Sequence, residues 1–274
     1  MSFSADLRRH LSALAREYAR AHALRCVESR GESPVICFKA EAKTHGNFLA
    51  SSYRGILANP EWRRRLRKQH SHRRSAFASY DGEGLCELDS CNSSDALLMN
   101  VFCYPRLFAD GKLARLLGLA EKDEPVFGFR AHVPLTSGLS DATEVDMRLG
   151  HTLFEAKLTE SDFQTTRSPA HVERYRDLEA VFDVAELPRD GDQYVSYQLV
   201  RNVLAAHAHG MSFCVLLDAR RPDLKEKWVA IMRCVRPVKL RVRCQTLTWQ
   251  ELAVLTPPAL KGFLREKYGI ERDL

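Results

Sequence analysis

No stretch of this 274-residue sequence stays apolar for the roughly 18 residues that a membrane-crossing helix needs. The opening, MSFSADLRRHLSALAREYARAH, is broken by charge throughout and reads as no secretory leader. Absent too is G-x-x-x-x-G-K-[ST], the common sequence signature of an ATP-driven motor. There is no G-x-S-x-G, the elbow that carries the nucleophile of many serine hydrolases. No internal repeat or low-complexity tract is visible, which sets solenoids and disordered scaffolds aside. Eight cysteines without a leader fit a reducing compartment, where thiols persist, so the expected location is cytoplasmic.

What is present suits a globular chain: 45% apolar and 28% charged residues, long enough for one substantial domain or a core with an appended module. The net charge of +6 is unevenly placed. Residues 61–74, EWRRRLRKQHSHRR, hold seven Arg or Lys against one Glu, so the rest of the chain balances. The following YDGEGLCELDSCNSSD (80–95) holds five acids and no base. A compact basic run attracts phosphate backbones; a solvated helix face is its plainer reading.

The N-terminal third reads as helical. Leu7, Leu11, Leu14 and Tyr18 form a stripe at helical spacing. A second helix starts near Pro60, a residue suited to a first helical turn, and carries the basic run. Residues 75–93 read as a loop. From Ser93 the pattern becomes α/β: SSDALLMNVF as a Ser-capped helix, then strands in VFGFRAHVPL, TEVDMRL and TLFEAKL. SPAHVERYRDLEAVF and QYVSYQLVRNVLAAHAHG read as helices, the second stopping at Gly210. MSFCVLLDAR is a buried strand, and another strand and closing helices follow. The expected division is a basic helical region, 1–80, and an α/β domain, 81–274.

TEVDMRL and TLFEAKL place charge where strand sequence is otherwise apolar. A hairpin turning at Gly150-His151, with Gly in the first position of a type II′ turn, fixes the register. Asp146 then faces Glu155, Glu144 faces Lys157, and Arg148 faces Leu153, all on one side of the sheet. Val145, Met147, Leu149, Thr152, Phe154 and Ala156 make up the other, core side. Directly opposed carboxylates repel. A divalent metal resolves the conflict, because Mg²⁺ is held by one or two carboxylates with waters and phosphate oxygens. Lys157 on the same face could polarise a water, which is a phosphodiesterase layout. The plainer alternative is a solvated hairpin whose acids are neutralised by Lys157 and Arg148.

Other constellations carry less. Cys86 and Cys91, with Cys103 near, are spaced more loosely than familiar zinc pairs, and ordinary thiols are the expectation. Cys214 and Cys244 lie in apolar strands as core filler. His70 and His72 read as exposed or phosphate-facing, His207 and His209 as partners of a helix C-terminus. Trp249 reads as a packing residue.

The Asp146…Glu155-Ala156-Lys157 string, set in a helix–strand–strand–strand–helix–strand order, resembles the PD-(D/E)xK nuclease superfamily over about residues 94–256. Val145 stands where that family usually has proline. The resemblance implies an α/β restriction-endonuclease-like core (α-β-β-β-α-β, a mixed sheet flanked by helices) with a helical N-terminal extension. It implies Mg²⁺ or Mn²⁺ held by Asp146, Glu155 and the carbonyl of Ala156, with Lys157 positioning the attacking water. Recombination-type members carry Gln-x-x-x-Tyr on the next helix; Gln198 matches the first position and Asn202 occupies the second. The expected function is hydrolysis of DNA phosphodiesters, with Arg63, Arg64, Arg65, Arg67, Lys68, Arg73 and Arg74 gripping the backbone. A homodimer is an assembly to be tested. The rivals are a non-catalytic nucleic-acid-binding protein on the same fold and an RNA-processing nuclease.

Overall fold

The computed structural model describes residues 2–29, 34–41, 43–68, 85–119, 123–164 and 168–271. The chain divides into two compact units, Met1–Glu121 with Trp249–Leu274, and Lys122–Thr248. This is not the division expected after residue 80. Helix Ser94–Phe102, expected beside the sheet, belongs to the first unit. There its Asn100 side chain accepts from Leu49 N at 2.8 Å and donates to the Asn47 carbonyl at 3.0 Å. The C-terminal helix Pro258–Tyr268 joins the same unit, with Lys267 Nζ donating to Gly46 O and Asn47 Oδ1 at 2.9 and 2.7 Å. Apolar spacing tells which face of a helix is buried, not which neighbour buries it.

The first unit opens with helix Phe3–Ala21, whose buried stripe is Leu7, Leu11, Ala15 and Ala19; Leu14 and Tyr18 are half-buried at its margin. Helix Pro60–Arg65 starts as the sequence requires. Asn59 Oδ1 accepts from Glu61 N and Trp62 N at 3.0 and 3.3 Å, and Pro60 follows the cap. Ser93 likewise caps Ser94–Phe102 through Ala96 N at 3.1 Å.

The second unit is built on one mixed sheet. Its strands are β1 (Val126–Arg130), β2 (Glu144–Leu149), β3 (Thr152–Ala156), β4 (Ser212–Leu217) and β5 (Cys244–Thr248). They lie in the order β5-β4-β3-β2-β1, antiparallel from β1 to β3 and parallel from β3 to β5. Parallel neighbours need crossovers. Helix Tyr197–Ala208 lies between β3 and β4, and helix Pro222–Arg233 between β4 and β5. The first crossover helix ends where Gly210 takes φ +65°, as its sequence implies.

SPAHVERYRDLEAVF is not one helix but two, Pro169–Glu173 and Leu178–Val181. The backbone between them bonds elsewhere: Thr136 N donates to Arg174 O at 2.9 Å and Arg176 N to Pro134 O at 3.1 Å. A segment pairing sideways cannot also continue its own ladder. Leu153, Phe213, Val215 and Leu217 of the sheet share one core with Leu199, Val200 and Val203 of the crossover helix and with Trp228. Trp249 is buried, as expected of a packing residue.

Candidate active site

Leu149↔Thr152, Arg148↔Leu153 and Met147↔Phe154 pair across the hairpin, in the register the sequence fixes. Gly150 takes φ +54°, and a Cβ there would meet Asp123 Oδ2 at 2.4 Å, so glycine suits the turn on both counts. Beyond Met147 the named pairs of β2 with β3 end, while Glu155 and Ala156 pair with Val215 and Leu216 of β4. Asp146 Oδ2 instead accepts the backbone N–H of Ala156 at 2.8 Å. Asp146 therefore reaches the peptide next to Glu155 through its side chain, without being a ladder pair of Glu155. Glu144 does not oppose Lys157, contrary to the extrapolated register, and its named pairing is with Arg130 of β1.

The carboxylate side is not open to solvent either. Glu155 has 0% exposure and shares its face with Leu153 and, through the parallel register, Val215. The crossover helix packs on that face, and Asn202 Nδ2 donates to Glu155 Oε2 at 2.8 Å. Lys157 Nζ donates to Glu155 Oε1 at 2.7 Å, while Lys157 N bonds Leu216 O at 2.8 Å. Lys157 Nζ also lies 5.7 Å from the Phe163 ring centroid. Burial alone would push the Lys157 ammonium down. The carboxylates of Glu155, Glu160 and Asp146 outweigh it and hold the pKa above the ordinary lysine value. The lysine is a fixed cation at neutral pH.

Loop residues after Lys157 connect these parts. Phe163 O and Gln164 O accept from Gln198 N and Tyr197 N, both at 3.1 Å, satisfying two of the free donors at the helix start. Arg221, with 0% exposure, donates to Leu158 O at 3.1 Å, Glu160 O at 2.7 Å, Ser161 O at 3.4 Å and bidentately to Asp223 at 2.9 and 2.8 Å. Every N–H of that guanidinium is engaged. The loop is thus pinned at both ends.

Asp146, Glu155 and the Ala156 carbonyl form an oxygen-only donor set, the kind Mg²⁺ takes when it keeps water and substrate oxygens as further ligands. Each Glu155 oxygen has one named donor and retains acceptor capacity. Gln198 is buried on the covering helix, and among the described residues its Oε1 has no hydrogen-bond donor. These residues fit such an ion. Among the described residues, no group of three or more His, Cys, Asp or Glu is placed to hold a metal.

A model of the family described as Restriction Endonuclease associating with ARP matches residues 13–269. The chain belongs to this family. No curated protein and no solved structure matches it. The α/β fold, with a central mixed sheet and a helix at the N-terminus, is restriction-endonuclease-like, and membership in the family points to nuclease chemistry. No described helix is long and apolar enough to cross a membrane.

In this family member the basic run is partly internal. Arg63, Arg64 and Arg67 are exposed, with Arg64 paired to Glu61. Arg65 Nη2 lies 2.9 Å from Asp95 Oδ2, and Lys68 Nζ 2.5 Å from the same oxygen and 3.0 Å from Glu87 Oε1. Burial would raise the Asp95 pKa, but Lys68 and Arg65 hold it below the ordinary carboxylate value. Arg65 and Lys68 are therefore ion-pair partners within the unit. Arg73, Arg74, His70 and His72 lie outside the described residues. Cys86 is half-buried and Cys91 buried, and burial pushes the Cys91 thiol up to about 11.

Sequence reasoning missed the part Asn202 plays. Its only signal was its place four residues after Gln198, one turn along the same helix. Arg221 gave no signal of its part in the loop, since the carbonyls it holds there are 60 to 63 residues away.

Proposed function

We propose that this chain is a Mg²⁺-dependent nuclease of the PD-(D/E)xK type, acting on DNA. The observation that carries the reading is a pair of contacts beside one another on β3: Asp146 accepts the Ala156 N–H, and Lys157 donates to Glu155. Asp146, Glu155 and the Ala156 carbonyl would hold the ion, and Gln198 Oε1 would hold one of its waters. A bound Mg²⁺ supplies Lewis-acid stabilisation of charge at the phosphate and a more acidic water.

The chain's own residues divide the remaining work. Lys157, kept charged by its carboxylates, orients the attacking water and offsets negative charge as it builds on the phosphate. Asn202 fixes the plane of the Glu155 carboxylate, so that its lone pairs keep one direction. Arg221 holds the loop that follows Lys157. Exposed Arg63, Arg64 and Arg67 add sequence-independent attraction for the phosphate backbone.

The deciding experiment challenges the protein with circular and linear DNA, and RNA beside them, with Mg²⁺, with Mn²⁺ and with chelator. Metal-dependent cleavage of DNA that disappears in Asp146→Ala is the expected result. Cleavage that persists in chelator or in Asp146→Ala would end the reading, as would metal-independent binding with no cleavage.

A further inference from the structure

The even charge balance outside residues 61–74 hides a second basic surface. From Arg233 to Gln250 the chain has five basic residues, Arg233, Arg236, Lys239, Arg241 and Arg243, and no acid. They lie on the crossover from β4 to the edge strand β5, at the end of helix Pro222–Arg233 and along the short helix Val238–Arg241. Arg233, Arg236, Lys239 and Arg241 are exposed. Arg236 Nη2 stands 3.6 Å from Asp183 Oδ2, and Arg243 donates to the Lys239 and Gly210 carbonyls. Among the described residues, Arg233, Lys239 and Arg241 have no carboxylate within ion-pair distance. Between them Val238 and Val242, one turn apart, are 60% and 75% exposed.

Three cations without an ion pair, on a segment with no acid of its own and with Asp183 beside Arg236, present a local field for polyanions. The surface is also firmly mounted. Leu240 is buried in the same core as Leu153 and Val215, so the patch and the carboxylate hairpin share one rigid support. Cys244 pairs with Phe213, and Glu155 with Val215 two residues further on, so the chain enters β5 short of the level of Glu155. The patch precedes that entry and extends away from Lys157.

We propose that this crossover is a second nucleic-acid surface, which neutralises phosphates of the same substrate remote from the cleaved one through Arg233, Lys239 and Arg241. The proposal rests on the nuclease reading for its choice of polyanion. Because the patch points away from Lys157, it holds the substrate without touching the reacting atoms.

The test uses the full chain with Arg233→Gln, Lys239→Gln and Arg241→Gln combined, leaving Arg236 and Arg243 with their partners. Duplex DNA binding is measured in chelator across a salt series, beside the wild type and Asp146→Ala. Loss of three contacts should flatten the log–log salt slope by about 2.7. It should also raise KM for a long duplex at unchanged kcat, with the melting temperature unmoved. Restoring charge as Lys at positions 233 and 241 should recover most of the slope. An unchanged slope and affinity in the triple variant would overturn the proposal. Unchanged DNA affinity with lost retention of polyglutamate would overturn it in favour of an acidic protein partner. If no form cleaves yet the triple variant alone loses binding, the nuclease reading fails and the surface stands. If the wild type cleaves and the triple variant matches it throughout, the surface fails alone.

Discussion

Asn202 Nδ2 donates to Glu155 Oε2 at 2.8 Å, joining a helix to a strand 47 residues earlier in the chain. The bond completes a carboxylate with no solvent exposure, whose other oxygen takes Lys157 Nζ at 2.7 Å. Asn202→Ala should leave that buried oxygen short of a donor and cost about 1–3 kcal/mol of stability. Asn202→Asp should cost more, since it sets a second carboxylate against Glu155. Thermal melts of the two variants check this. An Asp variant as stable as the Ala variant would mean that Asn202 does not donate to an ionised Glu155.

Opposed acids repel, so the sequence alone predicts that losing Asp146 or Glu155 is neutral or slightly stabilising. The geometry separates the two. Glu155→Ala strands the buried Lys157 without its closest partner and should cost about 3–5 kcal/mol. Glu155→Gln keeps the shape and an acceptor, and should melt nearer the wild type while losing metal-dependent cleavage. Asp146 is only half-buried, and Asp146→Asn should cost less than 1.5 kcal/mol or so. Denaturant titration beside a cleavage assay separates folding loss from activity loss. A Glu155→Gln variant that cleaves at the wild-type rate would remove Glu155 from the site.

Lys157 sets a pH dependence whose sign is fixed. Its folded pKa lies above the ordinary 10.5, so the stability it contributes is complete below pH 10.5 and is lost only as pH rises through the higher folded value. Between about pH 7 and 10 its titration should therefore leave both the melting temperature and the cleavage rate level. A rate that falls through about pH 8–9 in the wild type but not in Lys157→Arg would show that the amine titrates there.

The basic run should split into two classes. Arg65→Ala removes a partner of the buried Asp95 and should destabilise by about 3–5 kcal/mol. Arg63→Ala and Arg67→Ala, on exposed positions, should change stability by no more than about 0.5 kcal/mol and flatten the salt dependence of DNA binding. The Asp95 pKa is lowered, so its pairing supports the fold above the ordinary carboxylate value of 3.8 and fails as pH falls below it. Asp95→Asn should blunt the acid transition. Equal melting temperatures for the Arg65 and Arg63 variants would refute the internal role.

The sequence by itself determined the hairpin. Alternation of Val145, Met147 and Leu149 with charged neighbours is a local property, and a one-residue slip would move every apolar side chain to the opposite face, so the register was legible before any fold was known. Gly150, Pro60 in a first helical turn and the cap at Ser93 were legible for the same reason: each depends on neighbours within a few positions. The family-level resemblance drew on that same local string, Asp146 with Glu155-Ala156-Lys157.

Tertiary structure decided what each of those charges meets. The extrapolated facing of Glu144 with Lys157 is not made because the β2–β3 ladder stops at Met147 and Phe154, where the Asp146 side chain takes up the Ala156 N–H instead. Asn202 and Arg221 act through contacts that no spacing encodes. The conspicuous run at 61–68 was partly neutralised by Asp95 and Glu87, while the plainer segment 233–243 kept three cations without carboxylates. Composition counts ions, but Coulomb attraction falls with distance and is strengthened by burial, so only the folded chain determines which charges are compensated and which face a substrate.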